Sequence, residues 1–198
     1  GVTFVAGVGG VTARGLLPAA HLSDHPAGAA ALAAKLAVGS ALGELVVLEL
    51  PTGRGAALLS RKASLRAAAP DLPAKLDDLS EGAIAPGYVA SVTSDAVYVR
   101  FLARLTGRAG LSQLADTFVS DPAKHFHVGQ SVRAQVVQVD STHGKFGVTL
   151  KPSLTASADA RFLAALFRDL EDAEALGAAE GEAVDWARRF AVGAAVGG

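Results

Sequence analysis

The sequence contains no cysteine, which excludes disulfides, thiolate chemistry and cysteine-based zinc sites without marking a compartment. It has no excess of charge of either sign: 18 Lys and Arg against 19 Asp and Glu leave a net charge of -1. A chain that grips nucleic acid over its whole surface is usually basic, so any such contact must come from a local patch. Long apolar runs are absent as well. The mean hydropathy of +0.35 is spread over scattered Ala and Val, and no stretch approaches the roughly 18 to 20 residues that span a bilayer, so no membrane segment is expected. No initial Met and no signal-peptide pattern are seen, which reads as a piece of a longer chain. What is present is 51% hydrophobic residues over 198 positions, enough to fill the core of one medium or two small domains.

The most regular stretch runs from Gly87 to Lys151. Short alternating runs at Gly87 to Val92, Ala96 to Phe101, Thr106 to Leu114, Val132 to Val139 and Phe146 to Leu150 are punctuated by Gly, Asp, Ser or Thr. That pattern predicts half-buried strands joined by turns, and five of them suggest a small closed barrel. On the second strand Tyr98, Arg100 and Leu102 share one face and Val97, Val99 and Phe101 the other, so Phe101 is assigned to the core. An internal repeat precedes it: Gly15, Leu22 and Asp24 match Gly107, Leu114 and Asp116, each 92 positions apart, and Val38-Gly39 matches Val128-Gly129. The register of Arg61-Lys62 against Lys151 is left open. Residues 1–65 are therefore read as one repeat without its first strand, with a turn at Gly7 to Gly10 and an Ala-rich helical connection at Ala27 to Ala37. Residues 66–82, with Pro70, Pro73 and Asp77-Asp78, read as a linker. Residues 83–154 are the complete barrel, and 155–198 a helical segment leading toward a further repeat. In that last segment Phe162, Leu163, Leu166, Phe167 and Leu170 form one face of an amphipathic helix, Trp186 and Phe190 share a shorter one, and Val192 to Gly198 is similar to the lead-in Ile84 to Val89.

The order Gly-x-Val-x-x-Val, small-Val-aromatic-Val-x-Phe, Thr-Gly-x-x-Gly-Leu-Ser-x-Leu and Val-Gly-Gln-x-Val, closed by basic Lys151, resembles the S1-type RNA-binding domain. More narrowly, Gly15 to His25, Leu58 to Lys62, the Phe162 to Phe167 helix and Trp186 to Gly193 resemble the family of large nucleolar rRNA-biogenesis proteins built from many S1 repeats. The resemblance implies a mainly β fold of tandem five-stranded OB-fold barrels with a C-terminal helical segment. It implies a non-catalytic RNA-binding scaffold segment in pre-rRNA processing and ribosomal subunit assembly, located in the nucleolus. Its implied partners are single-stranded regions of pre-ribosomal RNA and ribosome assembly factors, with no membrane, small-molecule substrate or cofactor.

Such barrels stack unpaired bases on aromatic rings, at about 1 to 3 kcal/mol per base, while cations track phosphates. The family expects two aromatics and a His where this chain has Asp95, Tyr98 and Gly110, so Tyr98 alone keeps the expected chemistry. Around it the candidate RNA-binding residues are Arg100, Arg104, Arg108 and Lys145. In the first repeat Pro18 takes the His position, and the aromatic position falls on Thr3 or Phe4. The alternative function is a spacer and protein-docking segment with little direct RNA contact, the helix stripe packing on the preceding barrel or on an assembly factor. A contiguous cationic face with an exposed ring favours the first reading; mixed charge and a buried ring favour the second. Gly7 to Gly10 lacks the Gly-Lys-Ser/Thr ending of a phosphate loop. Asp169, Glu171, Asp172 and Glu174 read as a solvated helix surface, and His125 and His127 have no further ligands at metal-binding spacing. No catalytic or metal residues are assigned.

Overall fold

The computed structural model describes residues 2–8, 11–37, 40, 42–51, 55–157 and 160–179, with backbone alone for 2–8, 11–13, 160–166 and 177–179. Five strands, β5 (Ile84–Val92), β6 (Ala96–Arg100), β7 (Thr106–Gly110), β8 (Ser131–Asp140) and β9 (Lys145–Thr149), close a barrel in the order β5-β6-β7-β9-β8. Alternation drives the closure. Val97, Val99, Ala109, Ala134 and Val148 point inward and are buried with Val89, Phe101 and Phe146, each large apolar side chain contributing roughly 1.5 to 3 kcal/mol on burial. The buried core of this barrel comes entirely from residues between Val89 and Leu150, so the unit is self-contained. Gly107 is needed because a Cβ there would lie 2.6 Å from the Phe146 ring.

The earlier strands are β1 (Val2–Val8), β2 (Val11–Leu17), β3 (Val46–Glu49) and β4 (Ala57–Ser60), in a four-stranded sheet ordered β1-β2-β4-β3. This corrects the tandem-barrel expectation: one barrel closes and the other sheet stays open. The physical reason is strand count. No described strand stands where β5 stands in the barrel, bridging the two edges. The two sheets otherwise share their register. Leu16 lies beside Leu58 across a parallel pair, as Arg108 lies beside Gly147, and a bulge interrupts β3 at Val47/Glu49 as one interrupts β8 at Val136/Gln138. Thr3, paired with Leu16, thereby takes the place of Tyr98, paired with Arg108.

Helix α1 (Pro26–Lys35) starts at Pro26, whose fixed φ suits a first turn, and buries Leu32 against Leu17 and Leu22. Two short helices, α2 (Ala63–Ala67) and α3 (Pro152–Thr155), follow β4 and β9. The 66–82 connection is anchored: Leu72 is buried and the Leu102 amide donates to Pro73 O at 3.2 Å. Helix α4 (Ala160–Ala179) returns to the first sheet and packs on α1, burying Asp169 and Ala173. Of the predicted stripe's two described side chains, Phe167 is 63% exposed and Leu170 half-buried. Arg61 decides which face turns inward, donating to Asp169 at 2.7 Å and also to Asp172. The side chains of Phe162, Leu163 and Leu166, and the segments around Trp186, Phe190 and Val192, lie outside the described residues.

Candidate nucleic-acid interface

Period-two geometry on β6 puts Tyr98 on the outer face, half-buried, opposite Arg108 on β7. A tight turn before β6 is closed by Thr93, which accepts from the Ala96 amide at 3.1 Å and donates to Asp95 Oδ1 at 2.9 Å. That turn aims Asp95 across the strand pair. Arg108 Nη2 donates to Asp95 Oδ2 at 2.8 Å, and the Tyr98 hydroxyl also faces the guanidinium. The hydrogen bond from Arg108 holds the Asp95 carboxyl below its ordinary range, and Asp95 in turn raises Arg108. Tyr98 and Arg108 are thus brought together, with the guanidinium also paired to a carboxylate.

The other candidate cations are drawn elsewhere. Arg100 stands opposite Thr106 and Tyr88 and binds the Tyr88 phenol, whose ionisation is pushed up by burial and opposed by Arg100. Arg104 forms an ion pair with Glu49 of β3. Lys145 is exposed at the start of β9, opposite Asp140 and two residues before Gly147, the neighbour of Arg108. The face carries mixed charge, because most of its arginines already hold internal partners. In the first sheet the equivalent pair is Thr3 and Leu16, with neither ring nor cation.

The sequence of these strands and their geometry agree with a match found on comparison: residues 79–154 fit the model of the RRP5 S1 domain. The chain belongs to the RRP5 family. It is 34% identical over 187 residues to the rRNA biogenesis protein RRP5 of Arabidopsis thaliana, covering 93% of this chain and 10% of that protein. Against the human RRP5 homolog it is 32% identical over 142 residues, or 71% of this chain and 8% of the relative. The chain therefore spans about a tenth or less of the length of these relatives. The solution structure of GSP13 from Bacillus subtilis aligns with 42% of this chain and 63% of that chain at 23% identity and a TM-score of 0.38.

This RRP5-family chain also holds a buried polar junction that reading the sequence missed. Lys62, 1% exposed, donates to Ser23 O at 3.0 Å and to Ser131 Oγ of β8 at 2.7 Å. Asp24 accepts from Ser131 Oγ at 2.6 Å, from Ser64 Oγ at 2.5 Å and from the Ser64 amide at 2.8 Å. His21 meets Tyr88 edge-on with ring centroids 4.6 Å apart, and its Nδ1 lies 3.2 Å from Ser60 Oγ. Burial, reinforced by the Lys62 charge, lowers the His21 pKa to about 4, with Asp24 opposing. Burial likewise lowers Lys62 to about 8, against the pull of Asp24 and Asp169. Leu48, Leu65, Leu72 and Tyr88 complete the junction as one apolar cluster. Gly129, at φ +85°, lets the barrel close on Ala20, whose Cβ would be 2.6 Å from an added side chain. The one available signal was the Lys62/Lys151 match, whose register the structure supplies: Arg61 N binds His21 O as Leu150 N binds Gln113 O.

Proposed function

We propose that this chain is a non-catalytic scaffold segment of an rRNA-biogenesis protein acting on pre-rRNA in the nucleolus, holding successive repeats at a fixed angle among pre-ribosomal RNA and assembly factors. The observation that carries this reading is the junction, where Lys62, Asp24 and Ser131 close a buried network between sheet and barrel. Buried, fully partnered polar groups favour one geometry over others because misplacement leaves a charge unpaired in low dielectric. The names of the relatives supply the setting in rRNA biogenesis. In this reading other repeats provide most of the RNA grip.

A second reading, direct single-strand binding on the barrel, is favoured by the half-exposed Tyr98 ring beside Arg108, with Arg100, Arg104 and Lys145 as flanking cations. Anisotropy of labelled single-stranded RNA, titrated with the chain and with Tyr98→Ala at low and near-physiological salt, separates the two. The scaffold reading expects feeble binding that Tyr98→Ala hardly changes. Micromolar affinity that falls several-fold in the variant would replace it with the second reading.

A further inference from the structure

The junction pattern occurs twice in this chain, and among the described residues one copy is covered while the other is open. Around Asp116 the same local bonds form as around Asp24: Ser153 donates its amide to Asp116 Oδ2 at 3.1 Å and its hydroxyl to Oδ1. Lys151 N donates to Thr149 Oγ1 at 3.3 Å, as Lys62 N donates to Ser60 Oγ at 3.2 Å. The apolar counterparts differ sharply in exposure. Leu65 is 1% and Leu48 2% exposed under the barrel, whereas Leu154 is 46% and Val137 45% exposed.

We propose that Gln113, Asp116, Val137, Lys151 and Leu154 form a docking face for a further S1-type barrel, seated as the 83–154 barrel is seated on the first sheet. The occupant is specified by what the covered copy touches: an aromatic ring on its first strand, as at Tyr88, a hydroxyl opening its fourth strand, as at Ser131, and a glycine ahead of it, as at Gly129. Lys151 and Asp116 then share that hydroxyl as Lys62 and Asp24 share Ser131. A second copy of this chain does not fit, because its own Tyr88 and Ser131 are already engaged by its first sheet. Relatives that extend about tenfold beyond this chain have room for such a domain. The interface is heterologous, one face on a different face, so it propagates a repeat array instead of closing a dimer. This inference rests on the junction geometry and is independent of which repeats hold RNA.

The test is an amide chemical-shift titration of the isotope-labelled 198-residue chain. The probe is the self-contained barrel, residues 74–157, carrying Leu154→Asp to silence its own docking face; the 198-residue chain with Leu65→Asp, chosen to open the cluster around Tyr88, serves as second probe. Shifts are expected at Gln113, Asp116, Val137, Lys151 and Leu154 by about 1 mM probe, weakened about tenfold when the labelled chain carries Leu154→Asp. No shift with either probe, or shifts indifferent to Leu154→Asp, would overturn the proposal. So would the same shifts from single-stranded RNA with none from the barrels, which would assign the face to RNA.

Discussion

Leu65 and Leu154 occupy one position of one repeat, yet the first is sealed under a neighbouring barrel and the second stands in water. Lys62 and Lys151 form a similar pair, the first with its ammonium held by Ser23 and Ser131. The local bonds around both sites are alike, because each copy carries the same Asp, Lys and Ser in the same order, the Ser two residues after the Lys. Their surroundings are not. Matching sequence thus reproduces the backbone motif, while the energetic weight of each side chain is set by whether another domain covers it.

The largest contrast is expected between the lysines. Lys62→Ala leaves Asp24 buried without its cation and should cost about 3 kcal/mol or more, whereas Lys151→Ala should stay within about 0.5 kcal/mol; urea midpoints of the two variants check this. Equal losses would show that the two sites are not different environments. Next come the leucines. Leu65→Ala removes a sealed side chain and should cost roughly 2 to 4 kcal/mol, against under about 1 kcal/mol for Leu154→Ala, read by the same denaturation.

A smaller effect is expected with pH. His21 titrates near 4 in the folded chain, below its ordinary 6.5, so between those values the unfolded chain binds the extra proton. Stability is then full above about pH 6.5 and falls as pH drops toward 4. His21→Gln should flatten that part of the profile, while Gln113→His, at the half-buried counterpart, should not add an equal slope. An unchanged profile in His21→Gln would remove the junction from acid sensitivity. Smallest is the strand face. Asp95→Asn releases Arg108 from its carboxylate and should raise single-stranded RNA affinity about threefold at low salt, with a steeper salt dependence; no gain would mean that Arg108 does not face the RNA.

Much of the barrel was legible because alternation, turn residues and the S1-like order all point to the same strands: Val97, Val99 and Phe101 are buried where period two places them. The candidate site was legible in residue type and less so in state. Tyr98 and Arg108 do meet on neighbouring strands, but that Asp95 occupies the arginine depends on a turn geometry invisible in composition. On α4, apolar spacing pointed to the Phe167 side and did not show that Asp169 is buried, which follows from its bond to Arg61, more than a hundred residues earlier.

By itself the sequence determined the periodicity of the strands, the duplication of the repeat and the absence of cysteine and of any apolar run long enough to span a bilayer, since these depend on residues near one another in the chain. The tertiary structure decided which copy of the junction is buried, why Lys62 is held with a lowered pKa, and which cations keep a free charge. Those outcomes depend on desolvation and on partners from distant segments: Ser131 for Lys62, Glu49 for Arg104, Tyr88 for His21. Desolvation is a property of the assembled surface, and local spacing does not encode it.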